Sequence, residues 1–228
     1  MDDLWVCQLG LLDFGEATAL QQRLRQARQA DEIPDTLLLL EHPAVYTRGR
    51  RSSADELPLG EAFYEAQGIE LVDVDRGGRV TYHGPGQLVG YPIMRIGDII
   101  GYLRTMERAI VAALAQEGVP ARGGGDRPTG VWAGGAKIAS IGVHVSRRVS
   151  THGFAVNAEN DLEPFEWIVP CGLAGVSMTS IARETGRAHN LERFRTRMAS
   201  QFALAFERRE RSISPERLTA ALASPVGG

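Results

Sequence analysis

Lys137 is the one lysine of a 228-residue chain in which the remainder of the 25 Lys and Arg residues are arginines. An ammonium can release its proton near neutral pH and a guanidinium cannot, so a lysine kept in Gly134-Gly-Ala-Lys-Ile-Ala-Ser-Ile-Gly142 points to proton chemistry. A stray surface lysine in an arginine-rich composition would look the same. The densest polar segment is Arg76-Gly-Gly-Arg-Val-Thr-Tyr-His-Gly-Pro-Gly-Gln87. Paired glycines let a ligand approach the backbone, and Thr81 and His83, two apart, share a side if the segment is a strand. A substrate-lining loop and a glycine-rich β-turn with a hydrogen-bonded histidine both account for it. The endings required of a phosphate-binding P-loop and of a dinucleotide fingerprint are absent. Free cysteines are usually inert buried residues, but Cys171, in Val169-Pro-Cys-Gly-Leu173, has a proline fixing the approach and a glycine leaving one side of the sulfur open, which raises the case for a nucleophile. Cys7 lies in a strand pattern with no such neighbours.

The elements that must position these residues follow from periodicity. Leu4 to Leu9 reads as a strand, and Asp13 then caps a helix with Ala17, Leu20, Leu24 and Ala27 on one face. Residues 36–41 form a short apolar run stopped by His42-Pro43, as expected of a buried strand. A helix over 61–67 and strands over 69–74 and 87–94 come next. The longest helix, 98–116, places Ile99, Leu103, Met106, Ile110 and Ala113 at core spacing. Residues 136–146 alternate as a strand that pairs with 151–157. Asn190 opens a helix with Leu191, Phe194, Met198 and Phe202 inward, leaving Arg193, Arg195, Arg197, Arg208 and Arg209 mostly facing water. Residues 1–211 are expected to form a single α/β (α+β) domain, a mixed central sheet flanked by helices, and 212–228 a frayed tail.

Composition narrows the classes of function. A hydrophobic content of 43% supports a core, and a net charge of -3 argues against a general nucleic-acid binder. No run approaches the ~18 apolar residues of a membrane span, and the acidic start lacks the basic and apolar regions of a secretion signal, so a cytoplasmic location is expected. Two cysteines are too few for a disulfide framework and are not spaced as metal ligands, so neither a metal nor a cofactor is expected.

The Arg76–Gln87 segment, followed by Lys137-Ile-Ala-Ser-Ile-Gly142, His152-Gly-Phe-Ala-Val-Asn157 and Pro170-Cys-Gly-Leu173, resembles the octanoyltransferases of lipoate biosynthesis. Glu41-His-Pro-Ala-Val-Tyr-Thr47 agrees; Arg48 departs by standing where an apolar residue is expected. The resemblance runs in order over about residues 36–182. It implies a fold like the biotin and lipoate protein ligase catalytic domain. It also implies transfer of an octanoyl or lipoyl group from acyl carrier protein to a lysine of lipoyl domains. The acceptors would be the 2-oxoacid dehydrogenase complexes and the glycine cleavage H protein. Cys171 would be the thioester nucleophile and Lys137 its partner. Arg76, Gly77, Gly78, Arg79, Val80, Thr81, Tyr82 and His83, with Ser140, Ile141, Gly142, Gly153, Phe154 and Ala155, would line the substrate site.

The chemistry suits such a pair. A thiol of pKa ~8.5 is only ~10% thiolate at pH 7.5, and a neighbouring ammonium raises that fraction. In the second half-reaction the incoming lysine arrives protonated and must lose a proton before it attacks, a step an amine can assist and a guanidinium cannot. Ile141, Val143 and the glycine walls at Gly77 and Gly78 are candidates for a dry acyl channel, and Arg50, Arg51, Arg147 and Arg148 for docking acidic partners. An oxyanion site from the Cys171 backbone N–H and the His83-Gly84 turn is a further expectation. Two other readings stay open: an ATP-dependent ligase of the same superfamily, which needs no cysteine nucleophile, and a non-catalytic binder of acylated carrier proteins.

Overall fold

The computed structural model describes residues 1–125, 127–169 and 176–223. A large mixed sheet carries β1 (Asp3–Leu11), β2 (Asp35–Glu41), β6 (Gln87–Ile93), β7 (Ala121–Gly123), β8 (Gly130–Ala133), β9 (Ala136–Ser146), β10 (Val149–Asn157) and β11 (Arg209–Ile213). Their order is β11-β1-β2-β6-β10-β9-β8-β7, parallel where β1 meets β11 and β2 and antiparallel elsewhere. A smaller sheet orders β4 (Glu70–Asp73), β3 (Val45–Arg48) and β5 (Thr81–His83).

The run Leu37-Leu-Leu-Leu40 shows why β2 is central. Successive side chains leave opposite faces of a strand, so Leu37 and Leu39 enter one core and Leu38 and Leu40 the other. The first core lies beneath α3 (Ile99–Ala115) and α5 (Leu191–Ala205) and takes in Ile181 of the short α4 (Ile181–Thr185), and the second lies beneath α1 (Phe14–Gln29) and α6 (Pro215–Ala223). A third, built on Tyr46, Tyr64, Val80, Tyr82 and Phe165, backs the small sheet, where α2 (Glu61–Ala66) also sits. The helix starts follow from their caps: Asp13 accepts from the N–H of Glu16, Asp98 from Ile100 and Gly101, and Asn190 from Arg193.

Three expectations need correction. Residues 212–223 do not fray: β11 pairs with β1 as far as Ile213, and α6 buries Leu218 against the second core, because Ser214-Pro-Glu starts a helix long enough to bring one apolar residue inward. Residues 224–228 lie outside the described residues. Ile99, expected in the core, is 42% exposed in the first turn of α3, and it lines a cleft with the half-buried Leu103. The arginine face of α5 is only partly solvated. Arg195 reaches Glu41 at 2.9 Å with its side chain 12% exposed, and Arg197 and Arg193 both pair with the buried Glu117. Arg208 likewise reaches the buried Asp35. Arg48, the one departure in its motif, pairs with Glu61 and Asp73 at 2.7 Å each.

Candidate active site

The glycine loop between β4 and β5 is clamped between the two sheets. The Arg76 guanidinium donates to Thr47 O (2.7 Å) and Oγ1 (2.6 Å) on β3 and to the carbonyls of Gly77 and Arg79. From the other side, the Gly77 N–H donates to Val143 O of β9 at 3.0 Å. This approach requires a glycine opposite, since a Cβ at Gly142 would sit 2.9 Å from Gly77 O. Arg79 forms an ion pair with Glu56, whose other oxygen accepts from Val80 N at 3.1 Å.

Beneath this loop lies a narrow pocket, with about 520 Å³ of space including open solvent. Most of the residues expected at a substrate site meet there. Arg76, Gly77, Gly78, Arg79, Thr81, His83 and Lys137 line it together with Ser140, Ile141, Gly142, Gly153, Phe154 and Ala155. The last two triplets are cross-strand partners, pairing Ser140 with Ala155, Ile141 with Phe154 and Gly142 with Gly153. Val80 and Tyr82 do not join them. On β5 side chains alternate, so Thr81 and His83 face the cavity while Val80 and Tyr82 fill the third core. A second cleft, of about 1340 Å³ including open solvent, shares Gly77, Gly78, Arg79, Lys137, Ile141 and Gly142 and extends over Val143, Val145, Ile99 and Leu103 to Arg51.

Lys137 is 2% exposed. Its N–H donates to Ser177 O at 2.9 Å and its carbonyl accepts from Thr179 N at 3.0 Å, so the chain returning at 177–179 runs alongside it. Its Nζ lies 5.9 Å from the centroid of the Trp132 ring. Its alkyl stem lies against Gly130, where an added Cβ would be 2.7 Å from Cε and 2.5 Å from Ala139 O. Gly130 has φ +142° and is anchored by its N–H to the buried carboxylate of Glu107 at 3.0 Å. Cys171 lies outside the described residues. Cys7 is a free, buried cysteine whose thiol burial pushes up to about 11, unsuited to nucleophilic work.

Sequence reasoning missed five residues here. Phe14, Tyr91 and His152 line the cavity, and Asp75 and His42 stand behind them. His152 Nε2 donates to Asp75 Oδ1 at 2.8 Å, a bond that holds the Asp75 carboxyl below its usual range. Burial lowers His42 to about 4. Its Nδ1–H donates to Leu12 O, so its Nε2 accepts from the Tyr91 hydroxyl, both at 2.7 Å. His152 and His42 lie within quoted motifs and Asp75 directly precedes another, so all three could have been found from them. Phe14 and Tyr91 carry no local signal.

The comparisons with known proteins agree with this geometry. Residues 13–203 match the lipoyl protein ligase A/B catalytic domain. The chain belongs to that family. It is 45% identical over 202 residues to an octanoyltransferase of Geobacter sulfurreducens, covering 87% of this chain and 83% of that protein. It is 44% identical over 208 residues to an octanoyltransferase of Mycobacterium tuberculosis, covering 89% and 86%. These relatives place it among the acyltransferases that move octanoyl groups in protein lipoylation. In fold it is similar to a putative lipoate protein ligase of Thermoplasma acidophilum (TM-score 0.73, 18% identity, covering 97% of this chain and 92% of that one). It is also similar to a biotin protein ligase of Aquifex aeolicus (TM-score 0.52, 11% identity, covering 91% and 70%). Among the described residues, no helix is long and apolar enough to cross a membrane.

Proposed function

We propose that the chain carries the octanoyl group as a thioester on Cys171, receiving it from acyl carrier protein and passing it to a lysine of lipoyl domains. The observation that supports this most is the position of Lys137, which sits buried beside a cavity walled by Ile141, Phe154, Ala155 and glycines. A chain that otherwise uses arginine for every fixed cation has placed its one amine in the lining of a mostly apolar pocket. Ser177, which bonds the Lys137 backbone, stands six positions after Cys171.

In the first half-reaction the Cys171 sulfur attacks the carrier's thioester carbonyl, a new C–S bond forms, and the carrier's thiol leaves with a proton. Lys137 as an ammonium favours the attacking thiolate and supplies that proton. In the second, the amine of the incoming lysine forms the C–N bond and the C–S bond to Cys171 breaks. The proton lost from nitrogen passes through Lys137 to the departing sulfur. No step consumes ATP, because a thioester is already activated. Acceptors of this class include the lipoyl domains of 2-oxoacid dehydrogenase complexes and the glycine cleavage H protein.

Intact mass spectrometry after mixing with octanoyl carrier protein, without ATP, tests the scheme. It should show a hydroxylamine-labile octanoyl adduct that Cys171→Ser abolishes; an activity that needs ATP and survives Cys171→Ser would establish a ligase instead. Lys137→Arg should retain some acylation of Cys171 and lose transfer. Equal survival of both half-reactions would remove the double role of Lys137.

A further inference from the structure

We propose that His83 is the hydrogen-bond acceptor for the attacking amine in the second half-reaction, an inference that rests on the thioester reading above. Its state is dictated by a chain of amides that ends on backbone carbonyls. Asn157 Nδ2 donates to Thr179 O at 3.0 Å, which leaves Asn157 Oδ1 as an acceptor. Gln87 Nε2 donates to that oxygen at 2.9 Å and to Tyr82 O at 3.1 Å. Gln87 Oε1 therefore faces His83 Nδ1, 2.7 Å away, as an acceptor, and Nδ1 must carry the proton. A neutral ring so held offers Nε2 as a lone pair.

The surroundings keep the ring neutral and aimed. His83 is 7% exposed and stacks on Phe14 with an interplanar angle of 13°. Burial, with His42, Arg76 and His152 nearby, lowers it to about 3. Among the described residues no group bonds Nε2, and the ring lines the same cavity as Lys137. A primary amine entering this cavity carries two N–H bonds and one lone pair, and it reacts only when the lone pair faces the thioester carbonyl. One N–H held by Nε2 leaves the other hydrogen to depart toward Lys137 and turns the lone pair to the carbonyl. His83 keeps no proton: the C–N bond forms, the C–S bond to Cys171 breaks, and the proton ends on the Cys171 sulfur. Acylation of Cys171 involves no amine nucleophile and has no such requirement.

Two measurements test this. ¹⁵N spectra of histidine-labelled protein should show His83 with a protonated Nδ1 and a bare Nε2 from pH 5 to 8; a protonated Nε2 would overturn the assignment. Pre-formed octanoyl-Cys171 protein is then mixed with a lipoyl domain, and its formation from octanoyl carrier protein is timed separately. His83→Phe keeps the ring shape and removes the acceptor, and transfer should slow about 100-fold more than acylation does. His83→Gln, whose Oε1 can stand near the Nε2 position, should recover part of the transfer rate. Equal slowing of both half-reactions, or no rescue by glutamine, would overturn the role. Gln87→Glu serves if the phenylalanine variant does not fold. Its carboxylate favours the doubly protonated ring, so transfer should gain an acidic limb at higher pH than in the parent; an unmoved profile counts against the proposal. An unaltered protein that forms no adduct would defeat the thioester reading itself, and this role with it.

Discussion

Gly130→Ala examines whether the exact seat of Lys137 matters. Gly130 occupies φ +142°, where an L side chain is strained by on the order of 1–3 kcal/mol. The new Cβ would lie 2.5 Å from the backbone oxygen of Ala139, which cannot swing aside, and 2.7 Å from Lys137 Cε. Opening the second contact from 2.7 Å to an ordinary 3.4 Å displaces the lysine stem by about 0.7 Å. Misplacing a reacting group by about 1 Å costs on the order of 100-fold, so kcat/KM for octanoyl transfer should fall roughly 30- to 100-fold. Stability should fall by about 2 kcal/mol. The assay is the rate of mass gain by a lipoyl domain, with a urea melt to show that the variant is folded at the assay temperature. Gly135→Ala is the control, since an added Cβ there meets no heavy atom within 4 Å. Full activity in Gly130→Ala, or an equal loss in Gly135→Ala, would refute the view that this contact seats the amine.

Glu107→Leu should destabilise the fold by about 3 kcal/mol and slow transfer, because the buried carboxylate accepts from the N–H groups of Gly124 and Gly130, which would be left without it; an unchanged urea midpoint would count against that anchor. Acid should destabilise the protein well above the carboxylate range. The folded values of His42 (about 4) and His83 (about 3) lie below an ordinary 6.5, so below pH 6.5 the unfolded chain binds the extra protons. Each should cost about 2 kcal/mol at pH 5 relative to pH 7, while Asp75, lowered from 3.8, contributes nothing in that window. Denaturant melts that stay flat between pH 7 and 5 would disprove this. The exposed Arg50, Arg51, Arg147 and Arg148 should make KM for the carrier protein rise with salt, with Arg51→Glu the most affected because Arg51 borders the second cleft; a salt-insensitive KM would exclude them.

What could be read in the sequence was local or periodic. Asp13 and Asn190 announced two helices because a cap is a contact three or fewer residues long. Thr81 and His83 were correctly paired on one face because strand alternation is geometric. That same alternation sends Val80 and Tyr82 away, which a motif read as a block conceals. Ile99 has core spacing yet is exposed in the first turn of α3, where it borders the second cleft. The third core lay beyond the sequence, because β3 and β5 are too short for periodicity to register and β4, though read as a strand, carries no sign of what it pairs with. Phe14 and Tyr91 reach the cavity from separate parts of the chain, and only tertiary packing makes them neighbours.

The clamp around the glycine loop explains why this architecture suits acyl transfer. A thioester carbonyl and an amine must meet in a dry space, yet burying polar groups without partners is costly. The protein resolves this by satisfying its buried polar groups inward. The Arg76 guanidinium is bonded to Thr47 and the loop carbonyls, Glu56 to Arg79 and Val80 N, and the Gln87–Asn157 pair to backbone oxygens. What these networks leave facing the cavity is mostly glycine backbone and apolar surface, with few groups suited to moving protons. Loosening any of the networks would add polar groups that compete for the amine as well as cost stability. Substitutions at Thr47 or Asn157, neither of which lines the cavity, should therefore affect transfer more than their distance from the chemistry implies.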